Sequence, residues 1–151
     1  MQGLMIQAPV GSGKSYYINH YIPSNYKDIV LDGDDLLRSL NIKNRHYFWY
    51  TEGKEQEQKK IINTFNNYLK KGYIIFYSGN PVLIKTDILI IPDKNKRWNQ
   101  LHQRNEYIPP NELFFKEQYT YETEAINVPF CVNGDIPSFD LIQSMHKELK
   151  Y

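Results

Sequence analysis

The chain has 151 residues, enough for one domain and too few for two well-packed ones. Lys and Arg number 18 against 17 Asp and Glu, and a net charge of +1 removes the bulk electrostatic case for wrapping nucleic acid or lying on an acidic membrane. Cys131 is the only cysteine, no apolar run could span a bilayer, and the first residues lack a basic leader, so the expectation is a single cytoplasmic domain over 1–151 without an internal disulfide.

In chain order, the apolar run Gly3 to Gln7 predicts a first strand, and Lys14 to His20 the helix after it. Asp28 to Leu31 predicts the second strand and Asp34 to Leu40 its helix. The longest helix spans Glu52 to Lys71, with Ile61, Ile62, Phe65, Tyr68 and Leu69 in a stripe at helical spacing. Lys71-Gly72 stops it, and Tyr73 to Tyr77 follows as the third strand. Asp87 to Ile91 is the fourth strand, closed by Pro92, and a helix over Asn95 to Arg104 follows. Pro110 opens a helix to about Glu124, Asn127 to Val132 is the fifth strand, and Pro137 begins the last helix, to about Leu149. The strands are β-branched or aromatic, and several are apolar at consecutive positions, as strands buried on both faces require. Their alternation with helices predicts an α/β fold with a five-stranded parallel sheet, the Gly3–Gln7 strand lying between the Tyr73 and Ile88 strands.

The segment Ala8-Pro9-Val10-Gly11-Ser12-Gly13-Lys14-Ser15 starts where the first strand ends and reads as a Walker A loop, with Ala8 where glycine is commoner. Gly11, Ser12 and Gly13 can turn successive N–H groups inward as an anion nest, and Lys14 can bridge the β- and γ-phosphates of ATP. Ser15 offers a hydroxyl to Mg²⁺, and the helix carrying Lys14, Ser15 and Tyr16 adds its positive dipole end. Asp32-Gly33-Asp34-Asp35 then places three carboxylates at the carboxyl end of the second strand, where ligands of parallel sheets gather. One could serve the metal and another could take a proton from an attacking hydroxyl, while Asp34 or Asp35 also suits a helix cap. The chain has no guanine-reading Asn-Lys-x-Asp, and the third strand ends in Ser78-Gly79-Asn80 without an aspartate.

With those motifs the chain resembles the shikimate/gluconate kinase, adenylylsulfate kinase and polynucleotide kinase group of P-loop kinases. The resemblance extends through Ile88 to Ile91, Pro92-Asp93, Leu101-His102-Gln103-Arg104, Pro109-Pro110 and Val128 to Gly134, and leaves Ile42 to Lys71 without a clear counterpart. It implies a three-layer P-loop NTPase fold with strand order 2-3-1-4-5 and a lid at about 95–110. It also implies an ATP-dependent phosphotransferase using Mg²⁺. By that likeness Lys14 and Ser15 hold ATP·Mg²⁺, Asp32 is the metal-side acid, Asp34 activates the acceptor hydroxyl, and Arg104 steadies the transferring phosphoryl group. A second lid arginine is expected four residues earlier, where Gln100 stands; either Arg97, on the same helical face as Arg104, substitutes for it, or the lid works with one arginine.

Arg38 and Arg45 remain for the acceptor, with Trp49 from the aromatic segment His46-Tyr47-Phe48-Trp49-Tyr50, whose rings could stack on a base or cover the sheet edge. The aromatic segment tilts the acceptor toward a nucleoside, nucleotide or nucleic-acid end. A small metabolite of the gluconate or shikimate kind and a nucleotide-binding regulatory module with little phosphotransfer are the alternatives. His20, His102 and His146 read as structural, and Cys131 as a small buried hydrophobe.

Overall fold

A computed structural model describes residues 2–42, 48–103 and 111–149. Strands β1 (Leu4–Gln7), β2 (Val30–Asp32), β3 (Ile74–Tyr77), β4 (Ile88–Ile91) and β5 (Phe130–Asn133) pair in parallel throughout, in the order β2-β3-β1-β4-β5. The expected central strand and both its neighbours are therefore found. Every residue of β1, β3 and β4 is buried, which is why these strands are apolar at consecutive positions instead of alternating.

The helices divide between the two faces. Leu4 and Ile6 of β1, with Phe76, Ile88 and Ile90, pack under Tyr17 of α1 (Lys14–Tyr21) and Phe139 and Ile142 of α6 (Phe139–Glu148). Met5, Ile75 and Tyr77 point the other way, to Leu37 of α2 (Gly33–Ser39) and Ile61 and Phe65 of α3 (Glu55–Lys70). Beyond them Leu89 and Ile91 meet Tyr121 of α5 (Asn111–Glu124). Helix α4 (Lys94–Gln103) follows β4.

Element ends differ from the sequence expectation where a turn or cap decides them. Asp28 and Ile29 are exposed after a short 3₁₀ turn, so β2 begins only at Val30. Gly53 takes a left-handed φ of 81°, and α3 starts at Glu55, three residues later than expected. The Ser138 hydroxyl accepts the Leu141 N–H at 3.3 Å, which starts α6 after Pro137.

Two expectations are overturned. Cys131 is exposed, because β5 is an edge strand whose residues alternate between half-buried and exposed. Trp49 is 4% exposed: the turn Phe48–Tyr50 packs against β3, and the Trp49 indole N–H donates to the Tyr77 hydroxyl at 2.5 Å. Its ring is core, covering the sheet, and is closed to a ligand. His146 is a structural group, with Nε2 2.8 Å from the Gln2 carbonyl.

Close packing at the foot of β1 has a measurable consequence. Gly3 donates to the Leu69 carbonyl at 2.7 Å, and a Cβ there would overlap the carbonyl oxygens of Tyr73 and Leu69. Gly3→Ala is expected to lower stability by about 1–3 kcal/mol, read from denaturant unfolding.

Candidate active site

β1 ends at Gln7 in the middle of the sheet, and the chain turns at once into the loop Ala8–Gly13. The Ala8 N–H donates to the Tyr77 carbonyl at 3.0 Å, and the Ser78 hydroxyl donates to the Ala8 carbonyl at 2.5 Å. The Ala8 methyl, which stands where glycine is commoner, is buried in the apolar cluster beneath α1 and α6. The Ser12 hydroxyl donates to the Pro9 carbonyl and closes the turn. Gly11 and Gly13 hold φ values of 88° and 82°, the left-handed region that side chains other than glycine rarely adopt. Gly13 then caps α1, and its carbonyl accepts the Tyr17 N–H at 2.9 Å. These two glycines and the helix start give the loop the form of an anion nest, with Lys14 buried at its base.

β2 brings the acidic cluster to the same place. Asp32 is the cap of α2, in place of the Asp34 or Asp35 of the sequence expectation: its Oδ1 accepts the Asp34 N–H at 2.9 Å. Its other oxygen, Oδ2, accepts from the Ser15 hydroxyl at 3.3 Å. One carboxylate thus joins the start of α2 to the start of α1, just after the glycine loop. Burial and the neighbouring Asp34 charge push the Asp32 carboxyl above its ordinary pKa, opposed by the Asp34 N–H and by Lys14. Asp34 itself is half-buried in the first turn of α2.

Among the described residues no three His, Cys, Asp or Glu side chains converge on one point. Ser15 and Asp32 together make a sparse oxygen site. That suits Mg²⁺, which keeps most of its waters and takes one or two protein ligands beside phosphate oxygens.

A cleft of about 520 Å³ opens beside the loop. Ser12, Gly13 and Tyr16 form one wall, Lys96 and Gln100 of α4 a second, and Asp135, Ile136 and Ser138 after β5 a third. Lys96 Nζ lies 2.8 Å from both oxygens of Asp135, so an exposed ion pair joins the last two walls. The sequence assigned Ser12, Gly13 and Tyr16 and marked Gln100 only as the place of an absent lid arginine, and it missed Tyr21, Lys96 and Asp135. The turn Asn133-Gly134-Asp135, at the carboxyl end of a strand in a parallel sheet, was the signal available for the last of these.

The arginines fall differently from expectation. Arg97, expected at ATP, is fully buried and is taken up by Glu117, Gln118 and the Val10 carbonyl, so it stands behind the loop and not in the cleft. The polar partners waiting on α5 decide which way it points. Arg38 pairs with Asp35 on the exposed side of α2, not with Asp34. Arg45 and Arg104 lie outside the described residues.

No model of a known protein family matches the chain, and no curated protein matches it by sequence. Among solved structures it is similar to a gluconokinase from Sinorhizobium meliloti 1021, with a TM-score of 0.55 over 98% of this chain and 91% of that one, at 14% identity. The chain has the P-loop NTPase fold. Its five-stranded parallel sheet in the order 2-3-1-4-5, with helices on both faces, is the scaffold that it shares with that kinase. No helix among the described residues is long and apolar enough to cross a membrane.

The raised pKa of Asp32 has a definite sign. The folded state holds the Asp32 proton more tightly than the unfolded chain, so this carboxyl favours folding at acid pH, and that contribution is lost as pH rises through its folded pKa. Asp32→Asn keeps a capping side chain and removes the charge. Its melting temperature is expected to exceed that of the unsubstituted chain at neutral pH, with the difference shrinking as pH falls through the carboxylate range, in thermal unfolding followed across pH.

Proposed function

We propose that the chain is an ATP-dependent kinase that moves the γ-phosphoryl group to a hydroxyl of a small polar metabolite. The observation that carries this reading is the Ser15–Asp32 contact, which joins an anion nest to an acidic cluster at the carboxyl edge of a parallel sheet. In it Gly11, Ser12, Gly13 and Lys14 bind the phosphates, Tyr16 lines the nucleotide cleft, and Ser15 and Asp32 hold Mg²⁺. The metal, when bound, supplies positive charge against the phosphate oxygens. Asp34 takes the proton of the acceptor hydroxyl, and Arg104 belongs to the lid of about 95–110, within a single domain over 1–151. An anionic phosphate acceptor would need no base, so the carboxylates favour an alcohol.

The nucleoside acceptor expected from the aromatic segment loses the support of Phe48, Trp49 and Tyr50, which are all buried, while His46 and Tyr47 lie outside the described residues. The similar solved structure is a gluconokinase, which favours the small-metabolite alternative. The net charge of +1 gives a long nucleic acid no general attraction. Arg38 and Arg45 remain the acceptor-side cations of this reading. A second reading, a nucleotide-binding regulatory module with little phosphotransfer, is favoured by the burial of Arg97 and by the uncharged Gln100 in the cleft wall.

The test is ATP consumption in the presence of sugar acids, polyols, nucleosides and short oligonucleotides, with ADP·Mg²⁺ affinity measured alongside by calorimetry. Lys14→Ala is expected to abolish nucleotide binding while the fold survives. Asp34→Asn is expected to keep binding and lose transfer by roughly a hundredfold or more, the usual worth of a general base. Binding without transfer to any acceptor would establish the regulatory reading. Undiminished binding in Lys14→Ala would refute both.

A further inference from the structure

Helices α4 and α5 meet in a buried ion pair. Arg97 is 0% and Glu117 1% exposed, and the Arg97 Nη2 donates to Glu117 Oε1. The guanidinium lies 4.2 Å from the centre of the Phe114 ring, and its Nη1 donates to Gln118 Oε1 at 2.8 Å. Two charges withdrawn from water are tolerated only where their remaining polar atoms also find partners. Part of that requirement is met by one residue of the phosphate loop. The Arg97 Nε donates to the Val10 carbonyl at 2.6 Å, and Glu117 Oε2 accepts the Val10 N–H at 3.4 Å.

Both backbone groups of Val10 are therefore engaged by the two members of one ion pair. The next residue is backed by the same helix: a Cβ on Gly11 would lie 2.7 Å from Leu101 Cγ of α4. Beside a rigid backing, a Lys in place of Arg97 could not supply the forked donor set that reaches three acceptors together. Packing of α4 on α5 does not by itself call for this arrangement, since Trp98 and Phe114 already meet edge to face at 4.8 Å.

We infer that Arg97 and Glu117 are positioning residues for the nucleotide site: by holding both polar groups of Val10, they fix the direction of the Gly11–Gly13 N–H groups before an anion arrives. This rests on the reading of the loop as a phosphate cradle. A preformed nest binds without first ordering itself, so the pair acts on affinity through a loop that neither side chain needs to leave.

The experiment replaces the pair as a whole. Arg97→Met with Glu117→Leu substitutes apolar groups of similar bulk, a change that buried ion pairs commonly tolerate. The folded double variant is expected to bind ADP·Mg²⁺ at least about tenfold more weakly, the order of one charge-assisted hydrogen bond. Amide exchange at Val10 and Gly11, read by NMR without nucleotide, is expected to quicken while exchange at Ile75 in β3 does not. Ile61→Val, in the core on α3, serves as the control that lowers stability without changing affinity. Wild-type affinity and unchanged Val10 and Gly11 exchange in the folded double variant would overturn the inference. If that variant does not fold, Glu117→Gln decides: its amide still accepts from Arg97 but offers a donor to the Val10 N–H, so Val10 exchange must quicken, and unchanged exchange overturns the inference. An unsubstituted chain that binds no ADP refutes the nucleotide reading, while the exchange comparison still judges the hold on Val10.

Discussion

Backbone N–H groups turned toward a common point repel one another, and a loop that presents them has little of its own to keep them there. The surrounding fold supplies the restraint. β1 delivers the loop from the middle of the sheet, with β3 and β4 on its two sides. The residue that follows β3, Ser78, reaches across to the Ala8 carbonyl, and α4 stands behind Gly11. Around that one turn the molecule is built with few exposed groups: Gln7 is buried below it, its amide shared between the Thr86 hydroxyl at 2.6 Å and the Gly79 N–H at 2.8 Å. The segment after β3 is thereby held in register with the segment after β1.

The acidic cluster meets the same crowding. Asp32 caps a helix, meets Ser15 and lies beside Asp34, three demands on one partly buried carboxylate. Burial first, and then repulsion from Asp34, raise its affinity for a proton. Lys14, buried close by, offsets only part of that charge.

The sheet was legible in the sequence for a physical reason. Strands buried on both faces carry continuous β-branched or aromatic runs, and Met5, Ile75 and Leu89 are as apolar as their neighbours because helices lie on either side. The glycine loop after β1 was legible because its residues are contiguous, from Ala8 to Ser15. What failed depended on distant partners. The spacing of Arg97 and Arg104 placed them on one helical face without saying what that face meets; Glu117, on the next helix, answers that for Arg97. Trp49 suited both stacking and packing by sequence, and Tyr77 decides for packing by supplying an acceptor for its N–H. Cys131 looked buried because its strand is apolar, and a strand at the sheet edge lacks the second covering layer. Asp32 was distinguished from Asp34 as the cap only by where β2 ends.

The Lys96–Asp135 pair ties α4 to the turn beyond β5 with both side chains in water. Such a contact is worth about 1 kcal/mol or less and is screened by salt. The two walls that it joins are not equally firm: Arg97, one residue on, anchors α4 from behind, whereas Asp135 sits in an exposed turn after Gly134. Salt thus weakens this tie across the mouth of the cleft while the buried Arg97–Glu117 pair behind the loop stays unscreened.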